Sequence, residues 1–411
     1  MPKAAGLGPG VLVAAAFVGP GTVTAATLAG AQYGYALGWG IVLSTLATLV
    51  LQEMALRLGV VGRVGLGEAM RRSVPAGWPR AAVAVLVVAA IFVGNAAYEG
   101  GNLAGATAGA GLLTQLGPRG SQILTLGLAA GSAALLWRGG SGLLQGLLAA
   151  LVAGMAAVYL LAVALIGPDL EALLAGLLPL RLPTGAELTV MALIGTTVVP
   201  YNLFLHAGAA RRRYASADEL GAARRDSAVS ILLGGLVTLA IASLAAAAFA
   251  GDARMPAQEV STLVAPLRAA LGEGGAWLAP ATVGLGYLAA GFSSAVTAPL
   301  AAAYALAGLF GWGGGDAAAE RDRRFRGSWA AVLVAGVAFA VSGLRPVPLI
   351  FVAQVANGLL LPVVASLLVY AANDRRLLGE AVNGRVRNLL AVATVLVALA
   401  LGARSLWRVF A

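Results

Sequence analysis

The stretch VGPGTVTAATLAGAQYGYALGWG, Val18 to Gly40, sits where a long apolar helix should run. Gly19, Pro20 and Gly21 interrupt it. A second long apolar segment, LIGTTVVPYNLFLHAGAARRR, is interrupted near Val199-Pro200-Tyr201-Asn202. Proline removes a backbone donor and clashes with the preceding turn, so both segments are expected to break. Irregular backbone at membrane depth survives only where it faces protein or a wet cavity. Two interrupted spans at matching positions of two halves are the sequence pointer to a transporter site near the bilayer midplane. Prolines that merely kink packed helices are the competing reading. The polar residues beside the breaks weigh against it: Thr22, Thr24 and Thr27 at the first, Thr196, Thr197, Tyr201 and Asn202 at the second.

Composition places these breaks in a membrane. The 411 residues are 60% hydrophobic and 11% charged, against about 25% charged in soluble domains. Apolar runs long enough to cross a hydrocarbon core of roughly 30 Å recur along the chain. Eleven all-α spans are expected at about 9–34, 39–58, 81–111, 121–138, 142–166, 188–208, 227–250, 278–310, 328–344, 347–371 and 388–407. The first reads as a true span and not a cleaved signal. With the N-terminus in the cytoplasm, 20 of the 27 basic residues fall on the inner side and 7 on the outer, as the positive-inside rule requires. The net charge of +10 is thereby a matter of topology, and nucleic acid is not expected as a partner. The expected setting is a prokaryotic-type cytoplasmic (inner) membrane, crossed many times by a chain that works as a monomer.

Several chemistries are excluded. There is no cysteine and a single histidine, His206, so thiolate sites and His-rich zinc or haem centres are not expected. No phosphate-binding loop, nucleophile–base pair or cofactor motif is visible, so neither an enzyme nor an ATP-driven pump is expected, and no cofactor or resident metal. The loops read as short and polar. The whole chain is expected to form one transporter domain: an inverted repeat of five plus five spans, about 9–166 and 188–371, with an added helix at about 388–407. In each half the first span is the broken one.

Longer segments resemble a known family. LAGAQYGYALGW (Leu28–Trp39), VVPYNLFLHA (Val198–Ala207), AAGFSSAVTAPLA (Ala289–Ala301) and AQVANGLLLPVVASLLVYAANDRRLLGEAVNGR (Ala353–Arg385) occur in order along the chain. They are similar to the first, sixth, eighth and tenth helices of the natural resistance-associated macrophage protein (Nramp) family. These are proton-coupled divalent-metal importers of the LeuT-type fold. The resemblance implies a substrate site at the two breaks, approached by Gln354 from span ten. It also shows where the chain departs. The family's Asp-Pro-Gly-Asn reads Gly19-Pro20-Gly21-Thr22 here. The sixth-helix methionine is replaced by Val199 and the first histidine of that motif by Tyr201, whereas the second is kept as His206. The third-helix aspartate and glutamate of the proton route read Asn95 and Tyr98.

A divalent cation leaving water needs charged or strongly dipolar ligands, and these substitutions remove them. The half-helices that start after Gly21 and Pro200 would present positive ends with free N–H donors. Hydroxyls and amides from Thr22, Thr24, Tyr201 and Asn202 would add to them. The expected cargo is therefore a small organic anion, a citrate-like carboxylate carried alone or as a metal chelate. The alternative is a divalent cation such as magnesium or manganese, taken with its water into a widened site. A receptor or scaffold that no longer transports is disfavoured by the retained double break. Glu99, an acid inside span three, and His206 are the proton-coupling candidates, each weighed against a purely structural hydrogen bond. Ser293, Ser294, Thr297 and Asn357 either line the cavity or cap local kinks. Gln52, Glu53 and Glu68 are expected to pair with nearby arginines.

Overall fold

A computed structural model describes residues 8–114, 116–138, 142–178, 182–249, 259–312 and 319–410. Of the basic residues used to orient the chain, Lys3, Arg181 and Arg254 lie outside these. The described residues are helical, without strands. The first span is α1 (Pro9–Phe17) and α2 (Pro20–Tyr33), which meet at 51°. α3 (Gly38–Val60) returns, followed by the short α4 (Leu66–Ser73). The third span runs from α5 (Trp78–Val87) through a π-helical turn (Val88–Val93) into α6 (Gly94–Thr114). Next come α7 (Pro118–Arg138), α8 (Gly142–Ile166) and the short α9 (Leu170–Leu177). The second half begins with α10 (Glu187–Thr197) and α11 (Pro200–Arg213). It continues with α12 (Leu220–Ala248), a short α13 (Val264–Gly275), α14 (Leu278–Phe310), α15 (Arg323–Val341), α16 (Pro346–Ala372), α17 (Arg375–Leu378) and α18 (Arg385–Phe410). Among the described residues, ten helices are long and apolar enough to cross a membrane when α10 and α11 are taken as one. The bent α1–α2 pair makes eleven.

Two sequence expectations change. The third span reaches from Trp78 to Thr114, and the π turn inside it shifts every side chain beyond residue 93 around the helix axis. The connections are also less bare than expected, since two of them carry α9 and α13. α9 is apolar, with Leu170 and Leu174 exposed, the pattern of a helix lying along a lipid interface.

The breaks share one backbone design. Val18 (φ −81, ψ 58) and Val198 (φ −98, ψ 59) end their helices, each donating its N–H back to Ala14 or Ile194. Gly19 (ψ −176) and Val199 (ψ 120) are then extended, as a residue before proline must be. Pro20 and Pro200 restart the helix at its first position, where the missing N–H costs nothing.

Around these spans α6, α14 and α16 close in through small residues. Gly109 and Gly284 bring α6 and α14 together, Gly30 lies on the Ala242 carbonyl of α12, and Gly105 leaves room for Pro20. Close approach of this kind drives helix association where lipid removes the hydrophobic incentive. Outward faces carry exposed leucine and valine, and Trp78, Trp137, Trp277 and Trp407 are exposed at or near helix ends, the positions of an interfacial aromatic belt.

Gly195 on α10 faces the Gln354 carbonyl and the Gly358 N–H of α16, both rigid backbone. Gly195→Ala is therefore expected to destabilise the detergent-solubilised protein by about 1–3 kcal/mol, read as a lower Tm at unchanged helix content.

Candidate substrate site

α1 ends at bilayer depth, where its last carbonyls have no helical partner and no water. Only Ala14 keeps a helical bond, and the next three are met by other elements. Ala14 accepts the Val18 N–H. Ala15 accepts at 3.2 Å from Ser293 Oγ of α14, which shares its proton with its own helix at the Ala290 carbonyl, 3.0 Å away; Ala16 accepts from the Tyr201 hydroxyl of α11 at 3.0 Å, and Phe17 from Thr22 Oγ1 of α2. One turn earlier, Val13 accepts from Asn202 Nδ2 at 3.0 Å. Because Thr22 spends its proton on Phe17, its 2.8 Å contact with Thr196 Oγ1 has Thr196 as donor, which joins the two breaks directly.

Beside this end lies a set of buried polar atoms without well-formed hydrogen bonds: the Tyr98 hydroxyl, Ser294 Oγ and the Gln354 amide, which face one another around the Tyr201 hydroxyl, together with Asn202 Oδ1 and Asn357 Nδ2. A side chain at Gly19 would run into Ser294 Oγ and lie 2.9 Å from the Tyr98 hydroxyl, and one at Gly21 would meet the Gln354 amide. The Tyr98 and Tyr201 rings pack at 5.6 Å between centroids. Each unsatisfied buried group costs about 1–3 kcal/mol. Several of them around one strand of exposed backbone mark a place where a polar ligand restores what is missing.

The expected array of free N–H donors is much reduced. Pro20 and Pro200 have none, and the Thr22 and Asn202 N–H groups turn back to Gly19 and Val199 at 3.0 and 3.1 Å. The N–H groups of Gly19 and Gly21 at the first half-helix start, and of Val199 and Tyr201 at the second, are left as donors. Nor does a cation reach the site. Among the described residues the one fully buried arginine is Arg57, held elsewhere by Glu53, the Ala381 carbonyl and Asn383. No group of three or more His, Asp or Glu residues is placed to hold a metal among the described residues.

The structure sorts the candidates. Gly19, Pro20, Gly21, Thr22, Tyr98, Thr196, Val199, Pro200, Tyr201, Asn202 and Gln354 come together at the breaks, with Asn357 less than one turn from Gln354 on α16. Three do not join them. Thr24 bonds the Tyr287 hydroxyl at 2.8 Å, Thr197 bonds its own helix at Leu193, and Asn95 Nδ2 bonds the Ala298 carbonyl at 3.0 Å. Glu99 is buried, accepts from Asn102 Nδ2 at 3.1 Å, and packs against Gly336 of α15 rather than facing the break; its other oxygen is unpartnered. His206 Nδ1 contacts Gln52 Oε1 at 2.9 Å, so Nδ1 carries the proton and Nε2 is left without a partner. Gln52 therefore pairs with His206 and not with an arginine. Glu53 and Glu68 do pair with arginines, Glu53 with Arg57 and Arg224, Glu68 with Arg72 and Arg211. Ser294 belongs to the site while its neighbour Ser293 caps α1. Tyr287 and Thr48, the latter bonded to the Thr197 carbonyl at 3.1 Å, were not anticipated.

Two helices broken at depth around a closed polar centre define the scaffold of a secondary transporter. Comparison with known proteins makes this specific. The family profile described as natural resistance-associated macrophage protein-like matches residues 10–408, and the chain belongs to that family. A relative from Acidiphilium cryptum (strain JF-5), named divalent metal cation transporter MntH, is 29% identical over 412 residues, covering 98% of this chain and 90% of the relative. A crystal structure of a mutant of the Eremococcus coleocola manganese transporter matches with a TM-score of 0.77 at 20% identity, over 98% of this chain and 88% of that one. Mhp1, a nucleobase-cation-symport-1 family transporter in a closed conformation with bromovinylhydantoin bound, matches with a TM-score of 0.62 at 15% identity, over 98% and 92%. The fold is that of the LeuT type.

Thr22→Val keeps the shape of the side chain and removes its hydroxyl. It leaves the Phe17 carbonyl and the Thr196 hydroxyl without partners, and is expected to cost about 1–3 kcal/mol in the thermal unfolding of the detergent-solubilised protein.

Proposed function

We propose that this protein is a secondary transporter whose cargo is a divalent metal cation carried with much of its hydration shell. The observation that carries this reading is the cluster of unpartnered neutral oxygens and amides at Gly19–Gly21, in a chain of a family whose curated relatives are named for divalent metal transport. Gln354 Oε1, Tyr98, Ser294 and Asn202 Oδ1 can accept from the ordered water of a hydrated ion, and the carbonyl end of α1 adds a favourable dipole. Without a carboxylate the site is ill-suited to a stripped ion of magnesium type, which dehydrates reluctantly in any case. The organic-anion reading draws little from the geometry. It lacks a basic partner at the site among the described residues, and each half-helix start offers only two N–H groups, since the proline has none and the Thr22 and Asn202 N–H groups turn back.

The remaining assignments are part of the same proposal. The two broken spans head inverted halves at about 9–166 and 188–371, with 388–407 added. The N-terminus lies in the cytoplasm of a cell whose inner membrane holds the protein, and the monomer is the working unit. Glu99, buried with one free oxygen, is the group that would exchange a proton during the cycle.

In proteoliposomes, saturable uptake of manganese or magnesium is expected, with none for radiolabelled citrate. Saturable citrate uptake without metal, alongside no metal uptake, overturns the reading. Gln354→Ala, which deletes both unpartnered amide atoms, is expected to lower metal uptake at least about tenfold while the protein stays folded. Glu99→Gln is expected to abolish acceleration of uptake by an inward proton gradient; unchanged acceleration removes Glu99 from the proton route.

A further inference from the structure

Away from the site, the ends of α4, α11 and α14 enclose a cavity of about 250 Å³. Phe204 and Gly208 line it, so it opens along the same half-helix whose start forms the second break, at the end that carries Arg211, Arg212 and Arg213. Four arginines reach its lining, Arg71 and Arg72 from α4 and Arg211 and Arg212 from α11. Two carboxylates answer them. Glu68 pairs with Arg72 and with Arg211 at 2.8 Å, and Glu320 pairs with Arg212 and the Tyr304 hydroxyl. Four positive against two negative groups leaves an excess of two positive charges among the described residues.

That excess is placed, not diffuse. Arg71 has no carboxylate partner among the described residues. Its Nε donates to the Gly308 carbonyl at 3.2 Å, and its guanidinium lies beside the space a side chain at Gly311 would enter; the left-handed φ of 69° at Gly311 ends α14. This anchors one edge of the group and leaves the other nitrogens to the cavity. Arg212 stacks its guanidinium 5.1 Å from the Tyr304 ring, and its buried Nε has no partner. Guanidinium forks held in fixed orientations match tetrahedral oxyanions, which accept several charge-assisted hydrogen bonds at once. A phosphate monoester or inorganic phosphate carries between one and two negative charges near neutral pH, which fits the excess. A half-enclosed basic cavity also concentrates such anions by focusing the field.

We propose that this cavity is a binding site for a phosphate-type oxyanion, distinct from the cargo site and independent of the cargo's identity. The anion bridges α4 and α11 through Arg71, Arg72 and Arg212. A soluble phosphate and a lipid headgroup present the same chemistry to it.

The test is titration calorimetry of the full-length protein in detergent with inorganic phosphate as the probe, on wild type, Arg71→Gln, Arg72→Gln and the control Arg326→Gln. Arg326 sits outside the cavity, over Trp137. Saturable binding is expected, weakened at least about tenfold by Arg71→Gln, weakened in the same direction by Arg72→Gln, and unchanged by Arg326→Gln. The side chain of Arg72 is half exposed, so its variant reports even where Arg71→Gln disturbs folding. Repeating the titration in nanodiscs separates the sources. Loss of phosphate binding in phosphatidylglycerol but not in phosphatidylcholine assigns the site to a lipid headgroup. Equal binding in both assigns it to a soluble phosphate. Absence of saturable binding by wild type in both detergent and phosphatidylcholine nanodiscs overturns the proposal, as does wild-type affinity in both cavity variants.

Discussion

A carbonyl that ends a helix in the middle of a bilayer must find a donor, because lipid offers none. The structure is arranged around that requirement at the end of α1. Ala14 keeps its helical bond from Val18, and the next three carbonyls, Ala15 to Phe17, take donors from α14, from α11 and from α2. The elements that supply these donors are the ones packed closest around the break, so satisfying the backbone and assembling the centre are the same event. Tyr201 and Asn202 serve in both roles. They sit at the start of the second half-helix and close the end of the first.

This dual use explains why the centre looks half finished. Groups directed at α1 are fully bonded, and groups directed at Gly19 and Gly21 are not. The second set faces glycines that carry no side chain to bond with and prolines that have no N–H. The centre therefore presents neutral oxygens and amides and, among the described residues, no carboxylate.

Much of the architecture was legible in the sequence because it rests on punctuation. Gly-Pro and Val-Pro within apolar runs fix the two breaks, and run length fixes the spans. The residues on the breaks themselves followed. What was not legible depends on rotation about helix axes. Thr24 and Thr197 lie within a turn of the breaks in sequence yet bond to Tyr287 and Leu193. In the third span the π turn at Val88–Val93 adds a rotation that no apolar periodicity announces. It decides that Tyr98 faces the break while Glu99 meets Gly336. Likewise Ser293 and Ser294 are indistinguishable as letters and divide between capping α1 and facing the ligand. The four arginines of the basic mouth come from two distant stretches of sequence, and counted as loop charge they said only which side of the membrane they occupy.

Gly19 sets a condition on how this lineage can change. The volume that a side chain at residue 19 would enter is already taken by Ser294 Oγ and the Tyr98 hydroxyl. Both are ends of side chains and not backbone, so a carboxylate introduced there becomes a ligand only after α6 and α14 have each turned a side chain aside. The lineage of this site is thus constrained by three helices at once: the identity of residue 19 is coupled to the rotamers of residues 98 and 294.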